Sequence, residues 1–461
     1  MLWPQSSCRT ADGQLSIGGV PLPHLAAEFG TPLYIYDEVT LRERARRFKA
    51  AFSSNYPDSA VVYAAKALPS PAIIALLGEE GLGLDVVSGG ELFAGLAAGV
   101  PPGSITFHGN NKSETELREA LSAGIGHIAI DNLDEMRLLS RLAVEAGVEV
   151  RVLLRLNPGV DVHTHRKIAT GVADSKFGIP VWTGHAALAV EEILNAPGLI
   201  LVGYHAHIGS QIFDSAAYKQ TIFIMIEFAA EMRDRVGIVP EIISPGGGFA
   251  IAYEPNQEEA KIEEWAEEAS ATLRTECARH DLPLPRLIVE PGRAIVGPAG
   301  VALYQVGSIK DVAGIRTYVA VDGGMADNIR PTLYGAKYSV AIANRTGAGP
   351  DVPVTIAGKF CESGDLLVED AALPMVEPGD LLCLPAAGAY CLAMASNYNL
   401  SLRPAVVLVR DGQIRQIRRR ETYDDLLSAE FYPGKPSIPA RAQADAEAKN
   451  VRVALAQGVK S

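Results

Sequence analysis

The chain contains four short motifs whose residue types and spacing could support chemistry. The first is a lysine inside an apolar run, YAAKAL (63–68). An unpaired ammonium group is costly to bury. Lys66 is therefore either a side chain that reaches solvent at a strand end, or an amine of lowered pKa that can form a Schiff base. The motif alone leaves both interpretations open.

The second motif, YHAHIGSQ (204–211), places His205 and His207 two residues apart. In a strand this spacing puts both imidazoles on one face. Such a pair could bind a metal ion, as in a metal-dependent barrel hydrolase, although few other candidate ligands lie nearby. Alternatively, His207 stacks on a flat cofactor while Ser210 reaches a phosphate. A buried histidine without a function is a third interpretation.

The third motif is a glycine-rich segment, SPGGGF (244–249). The amides of Gly246, Gly247 and Gly248 could hold a phosphate, or the glycines could only permit a tight turn. The segment does not match the dinucleotide-binding pattern G-x-G-x-x-G, and no Walker lysine follows it.

The fourth motif, EPGR (290–293), combines a carboxylate and a guanidinium. A surface ion pair is the simplest interpretation. Alternatively, Glu290 could face a ring nitrogen and keep it protonated, while Arg293 binds a carboxylate. Lysine, histidine, glycine turn and glutamate together meet the requirements of a pyridoxal phosphate site.

Between residues 60 and 295, β-branched runs alternate with amphipathic stretches, which is typical of βα units around a parallel sheet. Eight runs are predicted as strands: 60–65, 84–88, 104–109, 127–131, 149–157, 199–207, 241–247 and 286–291. Helices are predicted over 69–81, 113–124 and 132–147 from their caps and periodicity. We predict a (β/α)₈ barrel of the TIM type, whose active site lies where the carboxyl ends of the strands meet. The four motifs all lie at such ends.

After residue 300 the strand-like runs are separated by Pro and Gly turns with little helix. We predict a second, mostly antiparallel β-barrel or sandwich domain, to which PLYIYD (32–37) could add a strand. The expected domains are a cofactor-binding barrel over 38–300 and a β domain formed by 1–37 plus 301–435. A polar tail, 436–461, receives no function.

Composition narrows the class of partner. The formal net charge of −13 argues against nucleic acid and anionic membranes, which need a cationic surface, and favours a small-molecule substrate. The cysteines form no C-x-x-C pair, which predicts free thiols in a reducing compartment and no metal site. The amino terminus has no signal-peptide pattern, and no long apolar run is present. These features predict a cytoplasmic protein.

Further motifs extend the pattern along the chain. They are LDVVSGGEL (84–92), FHGNNKS (107–113), RLNPGVDVHTH (155–165), GVADSKFGI (171–179), VDGGMADNIRPTLYGA (321–336), CESGD (361–365) and GAYCLAMASNYN (388–399). With the four motifs above, the chain resembles the diaminopimelate decarboxylases, of the alanine racemase-like class of pyridoxal phosphate enzymes, from about residue 30 to 430. VDGGM differs slightly from the Asp-Ala-Gly typical of that position.

The resemblance implies a set of cofactor contacts and the reaction, which converts meso-2,6-diaminopimelate to L-lysine and CO₂ as the last step of lysine biosynthesis. Lys66 would carry the cofactor, His207 would stack on its ring, and Glu290 would pair with its ring nitrogen. The implied cofactor-binding residues are Lys66, His207, Ser210, Gly246, Gly247, Gly248, Glu290, Pro291, Gly292, Arg293 and Tyr390.

The resemblance also implies how the substrate is bound. Arg293, Arg330 and Tyr334 would bind the carboxylate at the end that does not react, and Glu362 would bind the ammonium there. Tyr390 would touch both cofactor and substrate. Ornithine- or arginine-type decarboxylases, the alternative within the class, need only an acidic pocket for a distal amine. Racemases of the class usually place arginine at the ring nitrogen.

The implied catalytic residues are Lys66, His207 and Cys361, with Cys361 as the acid that protonates the carbanion. In the family, Cys361 and Glu362 reach the site from the partner subunit, so the resemblance implies a homodimer with shared active sites. Without the family, Cys361 could be an inert buried thiol and Tyr390 a core aromatic residue. A non-catalytic regulatory homologue is a further alternative, against which the retained Lys66 and Cys361 argue.

Overall fold

A computed structural model describes residues 2–160, 174–347, 349–431 and 433. These residues form two compact units. Of the described residues, those within 45–250 and 260–292 form the barrel unit, and those up to Arg44, within 251–259 and from Arg293 onward form the β unit. The predicted tail, 436–461, lies outside the described residues, as do parts of the motifs at 155–165 and 171–179.

Strands and helices alternate through the barrel unit, whereas strands dominate the described chain after it. The strands are β1 (Cys8–Arg9), β2 (Leu15–Ile17), β3 (Val20–Pro21), β4 (Leu33–Asp37), β5 (Ser59–Ala64), β6 (Gly83–Val86), β7 (Ile105–Phe107), β8 (His127–Ile130), β9 (Val150–Asn157), β10 (Ile179–Pro180), β11 (Leu199–His205), β12 (Ile242–Gly246), β13 (Arg286–Val289), β14 (Gly300–Val312), β15 (Arg316–Val321), β16 (Ala341–Ile342), β17 (Val352–Ala357), β18 (Leu366–Leu373), β19 (Leu381–Leu384), β20 (Ala405–Arg410) and β21 (Gln413–Arg418). The helices are α1 (Leu22–Phe29), α2 (Glu38–Asn55), α3 (Pro71–Glu79), α4 (Gly89–Ala97), α5 (Glu114–Ala123), α6 (Leu133–Ala146), α7 (His185–Leu194), α8 (Ala216–Val236), α9 (Ile262–Arg279), α10 (Arg293–Val296), α11 (Arg330–Tyr334) and α12 (Tyr423–Leu426).

The barrel unit contains a closed parallel barrel. Within the described residues, β5, β6, β7, β8, β9, β11, β12 and β13 pair in this order, and β13 pairs with β5 to close the ring. These are the eight predicted strands, so the predicted barrel is confirmed. Six of its strands contribute to one cluster of buried apolar side chains: Val62, Ala129, Leu153, Val202, Ile242 and Ile288. The two-residue strand β10, which pairs with β9, was not predicted.

Helix ends in the barrel unit follow the capping signals of the sequence. Ser113 and Glu116 form a capping box at the start of α5, which ends at Gly124 in the left-handed conformation. Asn132 caps α6, and Gly147 ends it. The long helices α8 and α9 account for the longer intervals between the last barrel strands.

The β unit contains a mixed, mostly antiparallel sheet in the order β18-β17-β15-β14-β4-β20-β21. The predicted strand PLYIYD is confirmed as β4, which lies between β14 and β20. A small sheet, β1-β2-β3, was not predicted, because strands of two or three residues are too short to show a period. None of the described helices has the length and apolar character needed to cross a membrane.

Candidate active site

Lys66 lies immediately after the first barrel strand. β5 ends at Ala64, and Lys66 is the middle residue of a 3₁₀ turn. The segment that follows the last strand packs against this turn: Pro291 O accepts a hydrogen bond from Ala64 N at 3.3 Å, and a Cβ on Gly292 would lie 3.1 Å from the Ala64 and Ala67 side chains. The fold therefore brings the first and fourth motifs together at the carboxyl ends of adjacent strands.

Glu290 follows β13 and is buried. His205 Nε2 donates to its Oε2 at 3.0 Å, and Ser244 Oγ donates to its Oε1 at 2.8 Å. Burial alone would raise the pKa of Glu290, but the nearby imidazoles of His205 and His108 and the hydrogen bond from Ser244 hold this pKa well below its usual range. Glu290 is thus a buried carboxylate that stays ionised, and its burial rules out the surface ion pair considered for EPGR.

His108 and Asp85 extend this cluster, and neither was assigned a role from the sequence. His108 Nε2 lies 3.7 Å from both Glu290 Oε1 and Asp85 Oδ1, and its ring centroid is 4.5 Å from that of His205. Burial keeps the pKa of His108 well below normal, whereas burial and the charge of Glu290 raise that of Asp85. His108 Nε2 and Asp85 Oδ1 have no hydrogen-bond partner among the described residues, so buried polar capacity remains for a ligand.

His207 lies just beyond β11, beside the glycine segment. Its Nδ1 accepts the N–H of Gly247 at 3.2 Å. Desolvation, and then the positive charge of Lys66, lower the pKa of His207 well below normal, which makes the ring neutral. A neutral aromatic ring beside Lys66 and Glu290 suits a stacking platform for a flat cofactor.

The glycine segment has no room for side chains. Gly246 has φ +82°, which favours glycine, and a Cβ on Gly247 would lie 2.1 Å from Glu290 O. The peptide groups can therefore be approached closely, as a phosphate cradle requires. Ser210 lies half-buried in the loop between β11 and α8. The orphaned polar atoms, the ionised Glu290 and this cradle fit a phosphate-bearing pyridine cofactor.

The metal interpretation requires another set of residues than the predicted pair. Of the described residues, His108, His205 and Glu290 have ligand atoms within 4.8 Å of one another. However, His205 Nε2 is already engaged by the hydrogen bond to Glu290 Oε2, and this bond occupies one of the carboxylate oxygens that a metal would need. His207 is engaged with Gly247 instead. The cluster is better described as a hydrogen-bond network than as a metal centre.

The β unit contains a second polar cluster, built on buried arginines. Arg293 Nη1 and Arg330 Nη1 donate to the hydroxyl of Tyr253, at 2.7 and 2.8 Å. Arg330 Nη1 also donates to the hydroxyl of Tyr338. The guanidinium of Arg293 lies 4.6 Å from the ring centroid of Tyr390. Tyr253 and Tyr338 were not predicted, and an isolated tyrosine in the sequence offers no signal that could have found them.

The remaining predicted residues also belong to the β unit. Tyr390 is half-buried with φ +62°, a strained conformation for a non-glycine residue and one that clusters at functional sites. Tyr334 ends α11. Cys361 is exposed, which rules out the inert buried thiol, and its N–H donates to Asn399 Oδ1. Glu362 is exposed as well, and neither residue bonds to the arginine cluster.

Comparison with known proteins identifies the family to which the chain belongs. A family model described as "Pyridoxal-dependent decarboxylase, pyridoxal binding domain" matches residues 39–297. The diaminopimelate decarboxylase of Bacillus subtilis (strain 168) is 48% identical to this chain, and the alignment covers 92% of this chain and 97% of the relative. That of Synechocystis sp. is 44% identical, with 94% of each chain covered.

Solved structures give the same result. The diaminopimelate decarboxylase of M. jannaschii in complex with L-lysine superposes with a TM-score of 0.88 at 35% identity, covering 94% of this chain and 99% of that one. The barrel, the second sheet domain and the sequence likeness over nearly the whole chain agree. The chain belongs to the diaminopimelate decarboxylase family of pyridoxal-dependent decarboxylases.

Proposed function

We propose that this chain holds pyridoxal phosphate in its barrel unit and converts meso-2,6-diaminopimelate to L-lysine and CO₂. The observation that carries the proposal is Glu290, a buried and ionised carboxylate at the end of the last barrel strand. An anion at this position keeps a pyridine nitrogen protonated. When bound, pyridoxal phosphate supplies the electron sink for the electron pair that departing CO₂ leaves behind.

The barrel residues divide the work of holding the cofactor. Lys66 offers the amine for the cofactor's aldehyde, and His207 offers a neutral ring to stack on. The turn formed by Gly246, Gly247 and Gly248, with Ser210 and the Glu290–Gly292 segment, would surround the phosphate; the Gly247 N–H itself is already bonded to His207 Nδ1. His205 and Ser244 orient the Glu290 carboxylate and keep it charged.

The substrate proposal rests on the relatives' names and on the arginine cluster. Diaminopimelate carries a second amino-acid head, so its recognition needs a cation for the distal carboxylate and an anion for the distal ammonium. Arg330 and Arg293 supply buried cations, while Tyr334 and Tyr390 lie in the same unit. Glu362 would bind the ammonium. An ornithine-type substrate has no distal carboxylate, so these arginines would have no role with it.

We also propose a homodimer in which Cys361 and Glu362 complete the partner's site, with Cys361 as the proton donor. Their exposure, without any bond to the arginine cluster, supports this role. A cytoplasmic location, supported by the free cysteines, belongs to the same proposal.

The decisive experiment measures CO₂ release from meso-diaminopimelate and from ornithine, together with the visible absorbance of the purified protein. We expect release from diaminopimelate only, and an absorbance band that disappears together with activity in Lys66→Ala. Lys49→Ala, which removes an exposed lysine on α2, is the matched control and should keep both. Preference for ornithine, or a colourless wild-type protein, would contradict the proposal.

The shared site is tested by mixing the inactive variants Lys66→Ala and Cys361→Ala. Hybrid dimers should recover part of the wild-type activity, because one of their two sites has both residues intact. No recovery despite demonstrated subunit exchange would contradict the assignment of Cys361 to the partner's site.

A further inference from the structure

Tyr253 joins the two arginines of the β unit through a single oxygen atom. Its hydroxyl is contacted by Arg293 Nη1 at 2.7 Å and by Arg330 Nη1 at 2.8 Å. The residue itself is held firmly: Gln257 Oε1 accepts its N–H at 2.9 Å, and Ser339 Oγ donates to its carbonyl at 3.0 Å. The phenol is therefore fixed between the guanidinium groups before any ligand binds.

The direction of these hydrogen bonds determines where the Tyr253 proton can go. A guanidinium only donates, so the phenol oxygen accepts both bonds. Its own O–H hydrogen remains, and among the described residues it meets no acceptor, although the side chain is only 6% exposed. A buried donor without an acceptor is costly, unless a ligand supplies the acceptor.

Arg330 shows the same unused capacity. Both of its hydrogen bonds, to Tyr253 and Tyr338, start from Nη1. Its Nη2 and Nε edge makes no bond to any residue in the described part of the chain, and no described carboxylate forms an ion pair with it. This edge matches the two oxygens of a carboxylate. The cluster thus presents donors of two kinds and a net positive charge to one anionic ligand.

Tyr338 differs from Tyr253 in this respect. Its hydroxyl also accepts from Arg330 but lies 3.5 Å from Cys391 Sγ. The Cys391 thiol, whose pKa is raised by burial, can donate to Asn328 Oδ1 at 3.4 Å, which leaves its sulfur to accept the Tyr338 proton. The Tyr338 hydroxyl thus has a hydrogen-bond acceptor within the protein, whereas the Tyr253 hydroxyl has none among the described residues.

We propose that Tyr253 is a specificity-determining residue, whose hydroxyl donates to the substrate carboxylate at the non-reacting end and holds Arg293 and Arg330 on that carboxylate. This inference rests on the proposed function, because it assumes an amino-acid substrate with a distal carboxylate. Tyr253 discriminates such substrates from diamines that lack the carboxylate.

The test compares two ligands that differ only in that group, L-lysine and cadaverine, on the cofactor-loaded enzyme. Tyr253→Phe should weaken L-lysine binding about tenfold or more, as expected for a lost hydrogen bond to a charged group, and leave cadaverine binding within about twofold of wild type. The KM for diaminopimelate should rise by a similar factor, with kcat and the visible absorbance nearly unchanged. Tyr56→Phe, which removes a buried hydroxyl bonded to Pro285 O in the barrel unit, is the control for general loosening.

Equal weakening of both ligands, or L-lysine binding unchanged within twofold, would overturn the inference. A crystal structure of the wild-type protein with L-lysine provides a measurement that needs no variant. A carboxylate oxygen within about 3.2 Å of the Tyr253 hydroxyl, normal hydrogen-bond reach, supports the proposal, and separation beyond about 4 Å refutes it. Wild-type turnover of diaminopimelate is scored separately, so failure of the proposed function is distinguishable from failure of the Tyr253 assignment.

Discussion

Each of the two polar clusters of this chain contains a buried charge, negative in the barrel unit and positive in the β unit. In the barrel unit, Glu290 is a buried anion whose hydrogen-bond partners are His205 and Ser244. In the β unit, Arg330 is a buried cation whose partners are tyrosine hydroxyls. Among the described residues, neither is paired with a lysine, arginine or carboxylate of opposite charge. Buried charges are usually paired, so both clusters keep a charge available for a ligand.

The difference between them indicates a division of labour. A charge that faces the reacting group changes the energy of the transition state and therefore kcat, whereas a charge that holds a distant part of the substrate contributes equally before and during the reaction and changes KM. We expect the barrel cluster to control kcat and the arginine cluster to control KM. Three kinetic predictions test this comparison, and a fourth concerns stability in the β unit.

The largest effect is expected for Glu290→Gln. The amide has nearly the same shape but no charge to keep the ring nitrogen protonated, and loss of one preorganised electrostatic contact typically costs a factor of about 10² to 10³ in kcat. Steady-state kinetics should show this loss with a small change in KM, and the visible absorbance should persist. A loss of kcat of less than tenfold would contradict the expectation that the barrel cluster controls kcat.

Arg330→Met should act mainly on KM. In the proposed substrate complex, removing the guanidinium takes away charge-assisted hydrogen bonds to the distal carboxylate, and we expect KM for diaminopimelate to rise about 10- to 100-fold. The change in kcat should be smaller than in Glu290→Gln, and thermal melting should verify folding. A variant that loses kcat but keeps its KM would contradict the assignment of Arg330 to substrate binding.

His205→Phe should produce a smaller effect with a characteristic pH dependence. The His205 hydrogen bond helps to lower the pKa of Glu290, while burial acts to raise it. Without the imidazole, this pKa rises, so Glu290 takes up its proton at higher pH as the solution is acidified. The acidic limb of the kcat profile should move to higher pH, with a loss of about tenfold at neutral pH. A pH profile of kcat that does not move would show that His205 does not lower the pKa of Glu290.

Asp327 in the β unit gives the smallest predicted effect, on stability alone. Burial raises its pKa from 3.8 to about 6, although Tyr304 and Tyr34 donate to it. Because the folded protein holds the Asp327 proton more tightly than the unfolded chain does, protonation of Asp327 stabilises the folded state. This stabilisation is fully present below pH 3.8 and is lost as the pH rises through 6. Wild type should lose roughly 1 to 3 kcal/mol of unfolding free energy relative to Asp327→Asn over this interval, as measured by urea denaturation. A constant difference would contradict the raised pKa.

The fold was largely predictable because the barrel strands and their helices carry strong local signals. Each barrel run is rich in β-branched residues, and Ser113 and Asn132 mark helix starts that the structure confirms. The two-residue strand β10 and the sheet β1-β2-β3 were missed, since they depend on tertiary pairing and not on periodicity.

Residues of the candidate site could be recognised in the sequence where a polar residue interrupts an apolar run. Lys66, His207 and Glu290 stand out for this reason, and the structure places them at one rim. His108 and Asp85 were visible as polar strand residues, but their mutual contact depends on neighbouring strands in the closed barrel. Tyr253 had no such signal, because its contacts to the arginines join positions 40 and 77 residues apart.

The arginine cluster also has a thermodynamic consequence. A ligand that binds only the folded protein raises its stability, by about 2.7 kcal/mol when its concentration is 100 times the dissociation constant. Among the described residues, the Nη2 and Nε edge of Arg330 and the Tyr253 proton have no acceptor. The arginine cluster therefore completes its hydrogen bonding only when a carboxylate is bound. Heat resistance of the enzyme should therefore rise with the concentration of its own product, which couples protein lifetime to the supply of the amino acid that it makes.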